Sequence, residues 1–100
     1  MRKKLNSSVV CADGFRMSVQ ANETAYCQPR DDSGPYTEAE VGFPNRAEPL
    51  LARWAEDPQD LTGTVYAYVP RQVVLNVIAK HGGMVDGELP EGIPNLWSQS

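Results

Sequence analysis

TVYAYVPRQVVLNVIAKHGG, residues 64–83, decides the fold because it predicts a buried strand that leads directly into an amphipathic helix. Residues 64–69 alternate in side-chain character as a strand does, and Pro70 suits the first turn of a helix, where its missing N–H is not needed. The predicted helix runs to about His81, and Gly82 supplies the left-handed conformation that commonly ends a helix. Its buried stripe consists of four apolar residues at helical spacing, namely Val73, Val74, Val77 and Ile78.

The composition predicts one globular domain with one hydrophobic core. The chain has 100 residues, of which 41% are hydrophobic and 22% are charged, and these values are ordinary for a folded protein. They disfavour disorder throughout and a coiled coil, and no apolar run reaches the ~18 residues that a membrane-spanning helix needs. We therefore expect a flexible basic N-terminus at residues 1–6, a single domain at residues 7–83 and an irregular C-terminal tail at residues 84–100. The tail is either disordered or held to the domain by Ile93, Leu96 and Trp97.

Charge is distributed unevenly along the chain. Residues 1–21 contain four basic side chains and one acidic side chain, whereas residues 22–60 contain three basic and nine acidic ones. An acidic middle of the chain repels a phosphate backbone, which disfavours nucleic acid as a partner. The same charge favours association with a basic protein.

The N-terminus and the two cysteines predict a reducing compartment. The first five residues have the charged start of an export signal, but residues 6–8 are polar and interrupt the 7–15 apolar residues that such a signal needs. The expected location is therefore the cytoplasm, where Cys11 and Cys27 remain thiols instead of forming a disulfide.

SSVVCADGFRMSVQ, residues 7–20, predicts a β-hairpin. Asp13 and Gly14 lie between two strand-like runs, and this dipeptide is a strong signal for a two-residue type I′ turn. The side chains sort by polarity in that register, so burial supports it as well as the turn. The predicted pairs are Ala12 with Phe15, Val10 with Met17 and Ser8 with Val19 on the buried face, and Cys11 with Arg16 on the wetter face.

Three further segments complete the predicted order of elements. Residues 22–35 show no period and predict a long loop, of a length that is often functional. Residues 36–43 alternate as a third strand, with Ala39, Val41 and Phe43 on one face. Asn45 and Glu48 have the spacing of a capping box and predict a short helix that ends near residue 56.

The order of the predicted elements is β-β-β-α-β-α. This order indicates an α+β fold, with a small antiparallel or mixed sheet of about four strands. One short helix and one longer helix are expected to pack on one face of that sheet. Oligomeric state does not follow from this pattern.

Catalytic and metal-binding motifs are weak or missing in the sequence. It contains no glycine-rich phosphate loop, no nucleophile elbow and no HExxH pattern, so we expect a protein that is not an enzyme and has no cofactor. One alternative is a small-ligand or zinc-binding protein using Cys11, Cys27 and His81, although the spacing typical of such ligands is missing. The other interpretation of His81 is that its charge suits the end of the helix.

The remaining functional prediction is a protein-binding surface on the sheet face that the helices leave open. Aromatic side chains among charged ones are typical of such surfaces. An alternative interpretation of the two tyrosines is cross-strand pairing that stiffens an exposed sheet. The predicted partner-binding residues are Arg16, Glu38, Glu40, Tyr66 and Tyr68, together with Asp31 and Asp32 of the long loop.

Two segments, DGFRMSVQANETAYCQPRDDSGPYTEAEVGFP and TGTVYAYVPRQVVLNVIAKHGG, resemble the uncharacterised small proteins of about this length from tailed bacteriophages and prophages. The resemblance spans residues 13–83 and includes no catalytic signature. It implies a phage product that acts in the cytoplasm of the bacterial host. From this, together with the missing catalytic motifs, the acidic middle and the open sheet face, we expect it to bind a host or phage protein and to modulate or inhibit a host factor. Another alternative is a minor structural component of the virion.

Overall fold

The computed structural model describes residues 5–21, 27 and 35–99, and within these residues the chain forms one antiparallel sheet and one α-helix. The five strands follow the order β4-β3-β2-β1-β5 across the sheet. Their bounds are Val9–Cys11 for β1, Arg16–Gln20 for β2, Glu38–Gly42 for β3, Val65–Pro70 for β4 and Met84–Asp86 for β5. The helix α1 spans Arg71–Lys80, and a 3-10 turn spans Ala52–Trp54.

The predicted α+β class is confirmed, whereas the predicted number of elements is wrong. The described residues contain five strands where about four were expected, and one α-helix where two were expected. The longer helix is the one confirmed. It begins after Pro70, and Gly82 follows its C-terminus with φ 93°, the left-handed value expected for a helix stop. Its buried residues are Val74, Val77 and Ile78, and Val73 is half-buried beside them.

The β1–β2 hairpin exists, but its predicted register is wrong by one residue. Val9 pairs with Met17, and Val10 pairs with Arg16. The loop therefore has three residues, 12–14, and Gly14 closes it with φ 91°. The usual three-residue hairpin loop is a type I turn followed by a residue in the left-handed conformation, and Gly14 provides that residue. The same glycine would also suit a two-residue loop, so it does not distinguish the two loop lengths.

This register moves Cys11 from the wetter face into the core. The buried face of the hairpin carries Val9, Cys11, Phe15, Met17 and Val19. Val10 is half-buried on the opposite face, where Arg16 is exposed as predicted. Because Val9 and Val10 are adjacent and equally apolar, both registers bury a valine, and the apolar pattern does not distinguish them.

Strand β4 contains a bulge that brings Tyr66 into the core. Ala39 pairs with Val69 and Val41 with Tyr66, so β4 has one more residue than β3 between these two pairs. Tyr68 lies in this bulge, and its backbone φ of 55° is unusual for a residue other than glycine. Tyr66 is fully buried, and its hydroxyl donates a hydrogen bond to the carbonyl of Leu61.

The short helix predicted after Asn45 is wrong, since only the 3-10 turn forms in that segment. In such a helix the N–H four residues after Asn45 would donate to the Asn45 carbonyl, but Pro49 at that position has no N–H. Pro49 also favours extended conformations for the preceding residue, Glu48. The Asn45 side chain instead accepts from the Arg16 N–H at 2.9 Å and donates to the Gly14 carbonyl at 2.9 Å. The segment is thereby fixed to the hairpin, and Glu48 points into the protein with 1% exposure.

Residues 84–99 are built into the fold, where the sequence predicted an irregular tail. Strand β5 pairs with β1, and Met84 forms a further bridge to Trp97. Ile93 is 4% exposed and packs in the main core. No helix in the described segments has the length and apolar character needed to cross a membrane.

Candidate functional site

The predicted partner-binding residues do not share one exposed surface. Arg16 is exposed, and Tyr66 is a core residue, which corrects its assignment to the open face. The described part of the chain does not include Asp31 and Asp32. The half-buried members of the set are Glu38, Glu40 and Tyr68.

The alternative zinc ligands are also separated. Cys11 belongs to the main core, Cys27 packs with Tyr36 in a second small cluster, and no disulfide joins the two cysteines. Both ring nitrogens of His81 contact carboxylates instead. Within residues 5–21, 27 and 35–99, no group of three or more His, Cys, Asp or Glu side chains is placed to hold a metal ion.

The Cys11 thiol is poorly suited to nucleophilic chemistry. It is 1% exposed. Burial, and to a smaller extent the negative charge of Asp13, raise the pKa of Cys11 to about 11. Since the thiolate is the reactive form, Cys11 is a core residue and not a reactive one at neutral pH.

The most unusual side-chain arrangement in the described residues is a histidine held between two carboxylates. His81 Nδ1 lies 2.6 Å from Asp13 Oδ2, and His81 Nε2 lies 2.6 Å from Glu48 Oε1. The imidazole also stacks on the ring of Phe15, with 4.1 Å between centroids and 10° between planes. The His81 side chain is 11% exposed, so it is largely shielded from water. We call Asp13, Glu48 and His81 the histidine clamp.

Glu48 is the buried half of the clamp. Its Oε2 accepts hydrogen bonds from the Leu50 N–H at 2.8 Å and from Lys80 Nζ at 2.9 Å. Burial alone would raise the pKa of Glu48, but hydrogen bonds from Leu50, Lys80 and His81 outweigh it and hold the pKa below its ordinary value. Glu48 is therefore ionised, and each of its oxygens has a donor.

Asp13 is the accessible half of the clamp, with a side chain that is 43% exposed. Its hydrogen bond from His81 is the largest cause that lowers the pKa of Asp13, and the hydrogen bond from the Phe15 N–H adds to it. Arg46 Nη2 lies 3.2 Å from Asp13 Oδ1 and reinforces the same effect. Asp13 is therefore ionised as well.

Two ionised carboxylates set the protonation state of His81. A carboxylate can only accept, so both contacts are hydrogen bonds only when each ring nitrogen donates. In that form neither nitrogen offers a lone pair to a substrate proton or to a metal ion. The clamp binds three segments of the chain together through the turn residue Asp13, Glu48 of the irregular segment and the C-cap residue His81.

Sequence reasoning did not find the clamp because its members lie far apart in the chain. Asp13 was interpreted as a turn residue, Glu48 as a helix-capping residue and His81 as a helix-terminal charge. Each of these interpretations is local, whereas the contact is tertiary. No spacing rule relates the three positions, and they meet only because α1 ends above the β1–β2 turn, where the Asp13 N–H donates to the His81 carbonyl at 3.2 Å.

A second feature, on the open side of the sheet, is the exposed aromatic residue Phe43. It was predicted to lie on the buried face of β3 with Ala39 and Val41, and this prediction is wrong. Its backbone has φ 48°, and its side chain is 60% exposed. Phe43 follows β3 at the end of the sheet where Arg16 begins β2, since these two strands run antiparallel.

A shallow apolar groove lies next to the C-terminal end of α1. Its volume is about 270 Å³, and Trp97 is 47% exposed at its edge. Its lining residues are Ala79, Gly82, Gly83, Leu96, Trp97 and Gln99. The backbone of residues 96–98 closes it by bonding to Met84 on the free edge of β5.

Comparison of the chain with models of protein families, with curated proteins and with solved structures finds no match. Function is therefore inferred from the geometry of the protein itself.

Proposed function

We propose that the protein is a non-enzymatic protein-binding module that docks through the end of the sheet at which β2 begins and β3 ends. Three exposed residues form this contact area, which we call the Phe43 surface: Arg16, Phe43 and Asn45. Aromatic and arginine side chains are the residues most enriched at the centres of protein interfaces.

The exposure of Phe43 is the observation that carries the proposal. A non-glycine residue with φ 48° costs on the order of 1 kcal/mol, and an aromatic ring that is 60% exposed recovers little of that by burial. Strain without a packing benefit is typical of positions kept for contact with a partner. A pocket on the partner would supply the missing burial of the ring.

The surroundings of Phe43 favour a rigid contact. The Asn45 N–H donates to the Arg16 carbonyl at 2.9 Å, and the Arg16 N–H donates to Asn45 Oδ1 at 2.9 Å. These reciprocal bonds fix the backbone after Phe43, and the Phe43 N–H itself donates to the Thr64 carbonyl at 3.0 Å. A preorganised surface loses less conformational entropy on association, which favours affinity.

The half-buried residues of the predicted patch lie further along the sheet from Phe43. Glu38 and Glu40 lie on the same face of β3, with Glu38 at the opposite end of that strand from Phe43, and Tyr68 lies in the bulge of β4. The two glutamates suit a partner with basic side chains, in agreement with the acidic middle of the chain.

The absence of catalysis is part of the proposal and has two supports. His81 uses both ring nitrogens in hydrogen bonds to carboxylates. Burial keeps the Cys11 thiol protonated. The two side chains best suited to proton transfer and nucleophilic attack are thus engaged in the fold.

The proposed partner is a protein of the bacterial host or of the phage, and the proposed place of action is the host cytoplasm. Both proposals rest on the resemblance of residues 13–83 to small phage proteins. A host factor that is modulated or inhibited by binding is the partner that this resemblance favours.

The test compares the proteins captured from bacterial lysate by the wild type, by Phe43→Ser and by Val85→Ser. Val85 is the matched control because it is 54% exposed and lies on β5, three strands away from β3. We expect at least one protein to be retained by the wild type and Val85→Ser but lost with Phe43→Ser. Titration calorimetry with that purified protein should show binding at least tenfold weaker for Phe43→Ser.

Phe43→Gly separates binding from folding. Glycine relieves the positive φ, so we expect the free energy of unfolding to stay the same or to rise by up to about 1 kcal/mol, while binding falls as in Phe43→Ser. The proposal is overturned if Phe43→Ser and Phe43→Gly capture the same proteins as the wild type and Val85→Ser, with the same affinity.

A further inference from the structure

We propose that His81 is a proton-dependent clamp that holds Asp13 only while the ring is an imidazolium, and that loss of one proton releases Asp13 but not Glu48. The clamp lies at the C-terminal end of α1 and uses none of the three residues of the Phe43 surface. It joins the β1–β2 turn and the segment that contains Glu48 to the C-terminal end of α1.

The geometry allows only one protonation state to satisfy both contacts. Each ring nitrogen of His81 lies 2.6 Å from a carboxylate oxygen. A neutral imidazole carries a single N–H, so its other nitrogen would direct a lone pair at an anionic oxygen at that distance. That contact is repulsive and must open when the proton leaves.

The two carboxylates differ in how easily they can move. Glu48 has a side chain that is 1% exposed and is held by Leu50 and Lys80 in addition to His81. Moving it would leave a buried charge without its partners, which is strongly unfavourable. Asp13 is 43% exposed, so its Oδ2 can rotate into water while Oδ1 keeps the hydrogen bond from the Phe15 N–H.

The remaining charges near the ring also favour release of Asp13 and retention of Glu48. Among the described residues they are Lys80, on the element that His81 caps, and Arg46, on the segment that packs against the turn. Lys80, with a side chain that is 45% exposed, pairs with Glu48 at 2.9 Å, and Arg46 lies 3.2 Å from Asp13 and keeps an ion pair with it after release. The released aspartate is therefore solvated and paired, and the ring retains its Nε2–H donated to Glu48.

The backbone limits how far the turn can move. The Ala12 N–H donates to the Gly83 carbonyl at 2.9 Å, and the Asp13 N–H donates to the His81 carbonyl at 3.2 Å. These bonds do not depend on the protonation of the ring. Opening of the clamp is therefore a change in a side chain contact and in local rigidity, and the strands keep their register.

Nitrogen-15 NMR of the His81 ring across a pH titration tests the clamp. We expect protons on both nitrogens at the acidic end and a neutral ring in the Nε2–H form at the basic end. The carboxyl carbon of Asp13 should shift together with the ring, whereas that of Glu48 should shift much less. A neutral ring with its proton on Nδ1 would overturn the proposal.

Two variants sharpen the test. Asp13→Asn keeps an oxygen for the Phe15 N–H but removes the charge, and its amide can donate to an unprotonated Nδ1, so the neutral ring should keep its contact with residue 13. Asp57→Asn removes an exposed carboxylate elsewhere in the described chain and should behave as the wild type. Nuclear Overhauser contacts between the ring and the side chain of residue 13 should be lost at the basic end in the wild type and Asp57→Asn but kept in Asp13→Asn. The same behaviour in all three proteins contradicts the clamp, and because Asp13 is exposed this variant does not depend on refilling a core position.

Discussion

Glu48 is a buried anion whose ionisation depends on a complete set of donors. A carboxylate with 1% exposure would be strongly unfavourable without the Leu50, Lys80 and His81 hydrogen bonds. One of these donors, Lys80, carries a positive charge that offsets the charge of the carboxylate. The residue therefore stabilises the fold only as part of this set.

Glu48→Ala should lower the free energy of unfolding by about 2–4 kcal/mol, because it deprives His81 and Lys80 of their shared acceptor and leaves a cavity. Urea denaturation followed by circular dichroism measures the change. Glu56→Ala is the matched control, since Glu56 is exposed and its backbone N–H, not its side chain, bonds to Val65. The control should change stability by less than about 0.5 kcal/mol, and equal losses for the two variants would contradict the assigned role of Glu48.

Stability should also fall at acidic pH, because the pKa values of Asp13 and Glu48 are both lowered in the folded state. A lowered pKa contributes stability above the unfolded-state value and loses it as the pH falls through the lower folded value. The unfolded-state values are near the ordinary 3.8 for Asp13 and 4.5 for Glu48. The stability difference between the wild type and Glu48→Gln should therefore be constant at pH 6–7 and shrink below about pH 4. Urea midpoints measured at intervals of half a pH unit provide the test, and a difference that grows on acidification would reverse the assigned sign.

Strand β5 and the segment that follows it complete one edge of the sheet. The Met84 N–H donates to the Leu96 carbonyl at 2.7 Å, and the Ser98 N–H donates to the Met84 carbonyl at 2.8 Å. Ile93, between these elements, packs in the core. The C-terminal segment is thus a structural element of the domain.

Ile93→Ala should therefore destabilise the protein by about 2–4 kcal/mol, as expected for a large apolar side chain removed from a core. Leu96→Ala is the matched comparison, because Leu96 is 37% exposed and contributes to β5 only through its backbone carbonyl. This variant should cost less than about 1 kcal/mol. Thermal or urea unfolding distinguishes the two, and a small loss for Ile93→Ala would mean that the segment is dispensable.

Elements with strong local signals were predictable from the sequence, and those that depend on distant partners were not. Helix α1 has a proline before it, an apolar stripe and Gly82 after it, so its prediction is confirmed. The hairpin turn at Asp13 and Gly14 was found, but its register depends on pairing of β1 with β5, which no local pattern reveals. Tyr66 was placed on the wrong face because the bulge at Tyr68 shifts the alternation by one residue.

The candidate sites were less predictable than the fold. Arg16 is the member of the predicted patch that is exposed as expected. Phe43 follows the alternation of its strand in sequence and leaves it in the structure through a positive φ, which composition does not indicate. The histidine clamp is built from three separate segments, and contacts of that kind follow from the packing of the whole chain.

At the scale of the whole molecule, the core should protect Cys11 from modification until the protein unfolds. Cys11 is 1% exposed on β1, which is paired on both sides, and burial raises its pKa to about 11. In a Cys27→Ala variant, labelling of Cys11 by a disulfide reagent at pH 8 should be at least about a thousandfold slower than in urea-unfolded protein. The labelling rate should rise in parallel with global unfolding as urea is added. Complete labelling within minutes in native buffer would show that the hairpin opens on its own.

The position of β1 between β2 and β5 has a consequence for synthesis on the ribosome. The first strand of the sheet pairs on one side with its neighbour in sequence and on the other with β5. A nascent chain can form the hairpin early, but the second side of β1 stays unpaired until β5 has left the exit tunnel. The native sheet is therefore completed only after all five strands have been synthesised.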